Sequence, residues 1–186
     1  MIDSKEGFVD VYDSLFSINE RISWHDYCTS LTYSPRGTDA PGYFDSRDRQ
    51  LFRPLSTEEI NTVGILKSPN IQEIVNRYDL KSYNINAARV NLSTPVERNN
   101  PHGDDCDITL LYYANMDWRI SWGGQTLFFN KDMSKVELTS LYVPGRLLMF
   151  SGNIPHMIIT PTSFSELYRY SIAIQFKKEK NDSQTA

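Results

Sequence analysis

Apolar positions are distributed differently in the two halves of this chain. Near the start, Phe8-Val9-Asp10-Val11-Tyr12 alternates as a short strand does. Ser17-Ile18-Asn19-Glu20 has the form of a capping box, and Trp24, Tyr27, Cys28 and Leu31 then recur at helical spacing. Residues 32–53 carry Pro35, Gly37, Pro41, Gly42 and several charges, which predicts a long loop. Ser56-Thr57-Glu58-Glu59 is a second capping box, opening a helix through about Leu66. Ser68-Pro69 opens a third helix with proline at its first position, and Ile71, Ile74, Val75 and Tyr78 line one face. The second half reads as strands. Residues 83–92, 107–114, 125–129, 135–143, 146–150, 157–160 and 168–176 are β-branched or aromatic-rich, and Pro144-Gly145 marks a turn. Helices first and closely spaced strands after predict a mainly β fold: a double-stranded β-helix, or jelly roll, buttressed by helices on one face.

Composition narrows the class. A length of 186 residues fits one domain with a sizeable core. We expect a helical and loop part over about 1–80, a jelly-roll core over about 81–178 and a polar tail over 179–186. A net charge of −4 and a pI near 5.4 disfavour a broad nucleic-acid-binding surface. Cys28 and Cys106 are too few for a disulfide framework, which suits a reducing cytoplasm. The start has no apolar signal core, and no apolar run approaches the roughly 20 residues of a membrane span, so no membrane partner is expected.

Candidate chemistry lies in three places. His102-Gly103-Asp104 puts two ligand side chains on one side of an extended chain, because positions two apart share a face. Asp105 is a second carboxylate candidate by proximity; the shared face favours Asp104. His156 follows a tight turn into a later strand. Arg169 opens the strand after it, where period two places Arg169, Ser171, Ala173 and Gln175 on one face and Tyr168, Tyr170, Ile172, Ile174 and Phe176 on the other. Taken singly, each has a plainer explanation: a surface histidine in an acidic loop, a structural histidine, an edge arginine. Cys106 reads as a core thiol. Together, two histidines and one carboxylate form the facial set that leaves half of an Fe(II) shell open. An arginine on an inward face requires a partner, and a carboxylate ligand would pair it bidentately. Thr109, Leu111 and Tyr113 share a strand face, so the hydroxyls of Thr109 and Tyr113 are expected beside Arg169. Trp118, and Trp122 before Gly123-Gly124, cover the core or wall a pocket.

From about Asn91 to Phe176 the sequence resembles the prolyl 4-hydroxylase-like branch of the Fe(II)/2-oxoglutarate dioxygenases. The resemblance is carried by Pro101-His102-Gly103-Asp104, Thr109-Leu110-Leu111-Tyr112-Tyr113-Ala114-Asn115, Asp117-Trp118, Trp122-Gly123-Gly124, Pro144-Gly145-Arg146-Leu147, Ile154-Pro155-His156 and Arg169-Tyr170-Ser171-Ile172. It implies that His102, Asp104 and His156 ligate iron and that Arg169 holds the distal carboxylate of 2-oxoglutarate, helped by Thr109 and Tyr113; Ser171, on the same strand face as Arg169, is a further co-substrate-binding candidate. Many relatives carry a tyrosine near the keto-acid head; here that region reads Ala88-Arg89-Val90-Asn91-Leu92, so Asn91 or Arg89 is expected to substitute. The implied co-substrates are 2-oxoglutarate and O2, with ascorbate as reductant. The implied substrate is a prolyl residue of a peptide or protein, with a free amino acid or small metabolite as the alternative. A non-catalytic jelly-roll binding module is the competing class. A metal-dependent cupin of another reaction type would need a His-x-His with a Glu, which the chain lacks.

Overall fold

The computed structural model describes residues 7–35, 51–97 and 99–179. The polar tail beyond 179 and most of the loop expected over 32–53 lie outside these residues. In chain order the elements are β1 (Val9–Tyr12), α1 (Ile18–Ser30), β2 (Ser34–Pro35), β3 (Leu51–Pro54), α2 (Thr57–Val63), α3 (Gln72–Arg77), β4 (Asn84–Ser93), β5 (Ile108–Tyr113), β6 (Thr126–Phe129), β7 (Val136–Ser140), β8 (Leu147–Ser151), β9 (His156–Ile158) and β10 (Arg169–Lys177). A seven-stranded sheet runs β1-β8-β5-β10-β4-β3-β2, and a three-stranded sheet runs β7-β6-β9. Every pairing is antiparallel. Two facing antiparallel sheets with helices on one side are the expected jelly roll.

Alternation along the central strands builds two cores. Ile108, Leu110 and Tyr112 of β5, Leu147 and Met149 of β8, and Ile172, Ile174 and Phe176 of β10 face the helices. Leu111 and Tyr113, Leu148 and Phe150, and Ala173 face the small sheet. With both faces covered, these strands read as nearly unbroken apolar runs. The inward face predicted for β10 is the one observed.

The capping boxes at Ser17 and Ser56 both form: each serine accepts from the backbone N–H of the glutamate three residues on, and that glutamate returns to the cap N–H. α1 docks through Trp24, whose ring meets Phe16 and Tyr112 edge-on and whose Nε1 donates to the Val63 carbonyl at 2.8 Å. The helix expected through Leu66 stops at Val63, because Gly64 adopts a left-handed φ of 75° and ends it. The third helix begins as a 3-10 turn, Pro69–Ile71, capped by Ser68, before α3. The predicted loop also holds the short strand β2 at the sheet edge, where proline is tolerated, and most of β3, which lies between β2 and β4. No helix among the described residues is long and apolar enough to cross a membrane.

Candidate metal centre and its surroundings

His102 lies in the segment between β4 and β5, but two backbone bonds tie it to the small sheet. His102 N–H donates to His156 O at 3.0 Å and His156 N–H to His102 O at 2.8 Å, as in an antiparallel bridge. The two imidazoles therefore stand side by side, ring centres 4.7 Å apart. Asp104 N–H donates to Gly152 O at 2.7 Å, which pins the third residue against the turn that leads into β9. Metal-capable atoms of His102, Asp104 and His156 all lie within 4.8 Å of one another.

Neighbouring groups orient all three. His102 Nδ1 is 2.9 Å from Asn100 O and His156 Nδ1 is 3.0 Å from Ile154 O. A carbonyl accepts only from N–H, so each Nδ1 carries a hydrogen, and the tautomer this selects for the neutral ring has its lone pair on Nε2. Thr109 Oγ1 donates to Asp104 Oδ2 at 2.6 Å, and Arg89 Nη2 lies 4.0 Å from Oδ1. Burial pushes the Asp104 carboxyl up, but His156, the Thr109 hydroxyl, Arg89 and His102 outweigh it and hold the carboxyl below its ordinary range. Burial pushes the His156 imidazole below its ordinary value. An ionised carboxylate and a neutral imidazole are the forms that metal ligation requires. Asp105 is not part of the cluster; its side chain is 95% exposed and paired with Lys177 Nζ at 2.6 Å.

The cluster opens on a cavity of about 50 Å³ whose wall includes Arg89, Asn91, Glu97, Leu111 and Ala173. Asn91 Nδ2 is 3.5 Å from Ser171 Oγ, a long contact, and Ser171 Oγ accepts from Arg169 Nη1 at 3.2 Å. Arg169 is fully buried. Its Nε donates to Gly124 O at 2.8 Å, and its guanidinium lies 4.7 and 5.1 Å from the ring centres of Tyr142 and Tyr113, which stack on each other. Nη2 has no hydrogen-bond partner among the described residues. A buried, unpartnered guanidinium N–H is costly unless an anion completes it. The donor set thus fits both parts of the implied cofactor pair: two imidazoles and a carboxylate for a divalent metal, and an unpartnered guanidinium Nη2 for a carboxylate.

Two sequence expectations change here. Thr109 does not stand beside Arg169. It pairs across the sheet with Gln175, six residues along β10 from Arg169, or about 20 Å at 3.3 Å per residue. Its hydroxyl serves Asp104 instead. Tyr113 does approach Arg169, opposite Ser171, but offers its ring; its hydroxyl donates to Thr126 Oγ1 at 2.8 Å. Sequence reasoning missed Tyr142, which falls in the strand expected over 135–143 but lies past the end of β7 at Ser140, and Glu97, which sits where no periodic pattern singles it out. Cys106 is buried, and burial pushes its thiol up to about 11, as expected of an inert core thiol.

No family model matches the sequence, and no curated protein sequence matches it. Solved structures do. A prolyl hydroxylase from Trichoplax adhaerens, solved with a hypoxia inducible factor oxygen degradation domain peptide, aligns at a TM-score of 0.67 and 17% identity, over 91% of this chain and 83% of its own. A prolyl-4-hydroxylase from Pseudomonas putida aligns at 0.65 and 16%, over 92% and 93%. The non-heme alpha-ketoglutarate-dependent carbocyclase SnoK from nogalamycin biosynthesis aligns at 0.70 and 10%, over 94% and 81%. With its two facing sheets and its His-Asp-His cluster, this chain has the fold of the 2-oxoglutarate/Fe(II) oxygenases, prolyl hydroxylases among them.

Proposed function

We propose that this protein is an Fe(II)- and 2-oxoglutarate-dependent oxygenase that hydroxylates its substrate. The observation that carries the reading is the convergence of three metal-capable atoms in one cavity, joined through Asn91 and Ser171 to a buried arginine with an unused N–H. His102, Asp104 and His156 would hold the metal through both Nε2 atoms and a carboxylate oxygen. Bound Fe(II) with 2-oxoglutarate supplies the oxidising chemistry: the keto acid and O2 become succinate and CO2, and one oxygen atom goes to a substrate C–H.

The chain's own residues have separable tasks. Arg169 binds the distal carboxylate through Nη2, while Gly124 O and the Ser171 hydroxyl fix the plane of its fork. Tyr113 and Tyr142 cover that fork and exclude water from it. Thr109 holds the Asp104 oxygen in one orientation. Asn91, in the cavity wall, and Arg89 beside Asp104 are the groups placed to meet the keto-acid head.

A prolyl residue in a peptide is the favoured substrate, supported by fold similarity to two prolyl hydroxylases, one of them solved with a peptide. The test is succinate formation with Fe(II), 2-oxoglutarate and ascorbate, followed by a mass-shift screen of prolyl peptides against free amino acids. A gain of one oxygen on a prolyl peptide supports the reading; a gain confined to free amino acids moves the substrate class. A protein that binds metal without consuming 2-oxoglutarate is a binding module and refutes it.

A further inference from the structure

Glu97 is a buried carboxylate that the proposed mechanism does not use. It sits in the segment after β4, is 7% exposed, and shares the cavity wall with His102, Asp104 and His156. Its Oε2 accepts from the Thr94 N–H at 3.2 Å. Ser93 is the cross-strand partner of Arg169. Glu97 is thus tethered at the Arg169 end of the barrel while facing the metal cluster's cavity. Arg169 does not pair with it: Nε and Nη1 are taken by Gly124 and Ser171, and Nη2 is unpartnered among the described residues.

This inference rests on the reading of the site as a 2-oxoglutarate pocket. A dicarboxylate with one end at the cluster and the other on Arg169 Nη2 brings its distal carboxylate to Glu97. Arg169 balances only one of those two negative charges. The other charged groups around the cavity lie at its cluster end: Arg89 on β4 is 4.0 Å from Asp104, where the keto-acid head would sit, and His102, Asp104 and His156 face the metal position. Two carboxylates side by side in a dry site do not both ionise; they hold one proton between them.

We propose that Glu97 is protonated in the co-substrate complex and donates a hydrogen bond to the distal carboxylate that Arg169 binds, so that 2-oxoglutarate binding takes up one proton from solvent. Glu97 is therefore a positioning residue for the co-substrate and makes its affinity pH-dependent. The isolated protein is already biased toward this state: burial pushes the Glu97 carboxyl up, and the field of Arg169 only partly offsets that.

The test is calorimetric binding of 2-oxoglutarate to the Mn(II)-loaded protein from pH 6 to 9, for wild type and Glu97→Gln, which is a permanently neutral donor of the same shape. Above the pKa of free Glu97, the wild-type Kd should rise about tenfold per pH unit. Glu97→Gln should lack that slope and bind more tightly than wild type at pH 9. Titrations shared by both proteins, those of the metal ligands included, cancel in the comparison. Independently of any variant, repeating the wild-type titration in buffers of different ionisation enthalpy should show uptake approaching one proton at the alkaline end. Superimposable pH profiles, or no proton uptake, overturn the proposal. Failure of the wild type to bind 2-oxoglutarate at any pH overturns the underlying reading of the pocket, a distinct result.

Discussion

Arg169→Lys keeps a positive charge at the start of β10 and removes the planar fork. In the structure the fork spends Nε on Gly124 O and Nη1 on Ser171 Oγ, leaving Nη2 for a ligand. An ammonium on a shorter stem cannot serve all three directions. A hydrogen bond to a charged group contributes about 1.5–3 kcal/mol, so losing the ligand contact should raise the apparent KM for 2-oxoglutarate roughly 10- to 150-fold. Arg169→Ala leaves the incoming carboxylate with no partner in a dry site. That costs about 2–5 kcal/mol, or roughly 30- to 5000-fold. It also strips Gly124 O of its donor and the Tyr113–Tyr142 stack of its cation, contacts of about 0.5–2 kcal/mol each, so a lower Tm should accompany it. The assay is substrate-free succinate production against 2-oxoglutarate concentration, with metal affinity as the control that should stay unchanged. A folded Arg169→Ala protein with wild-type KM would refute the assignment, and Arg89, which lines the cavity, would become the anchor to test.

Two further outcomes follow from local geometry. Gly124 has a left-handed φ of 80°, and an added Cβ would meet Trp118 Cζ2 at 3.1 Å and Arg169 Cδ at 3.3 Å. Gly124→Ala should cost about 1–3 kcal/mol in thermal or denaturant unfolding and raise the KM for 2-oxoglutarate without changing metal affinity. Asp13 accepts both Nε and Nη2 of Arg146 at 2.7 Å, and that hydrogen-bonded pair holds its carboxyl below the ordinary 3.8. A folded pKa below the unfolded one gives stability that is present above about 3.8 and lost as pH falls through the depressed value. With Asp13 half exposed, screening limits the pair to about 0.2–1 kcal/mol. Asp13→Asn should therefore lower Tm slightly at pH 7, with the difference closing as the pH falls below 3.8; an undiminished difference at low pH would assign the loss to something other than the ion pair.

Much of the fold was legible because burial on both faces leaves a strong local signal. β5, β8 and β10 are continuous apolar runs, and a single run sufficed to predict which residues of β10 face inward. The order of His102, Asp104, His156 and Arg169 was legible too, and the three metal-capable groups do meet. How far along a strand two side chains sit from each other was not legible. Thr109 and Arg169 share the inward face, yet the antiparallel register places Thr109 opposite Gln175, and no single strand carries that information. The bridge between His102 and His156 is equally non-local. β3 was hidden by its shortness: a four-residue strand ending in Pro54 lacks the length and alternation that mark a strand. Glu97 lies in a segment without period, so its burial could be seen only in three dimensions.

Metal binding tests the central claim most directly. Anaerobic titration of the metal-free protein with Fe(II), or with Mn(II) as an air-stable probe, should show one site per chain. His102→Ala, Asp104→Ala and His156→Ala should each weaken that site at least about tenfold, since even supporting residues around a metal change affinity about 10- to 100-fold. Far-UV circular dichroism should stay near that of the wild type. A single site of unchanged affinity in folded His156→Ala, or no site in the wild type, would contradict the account.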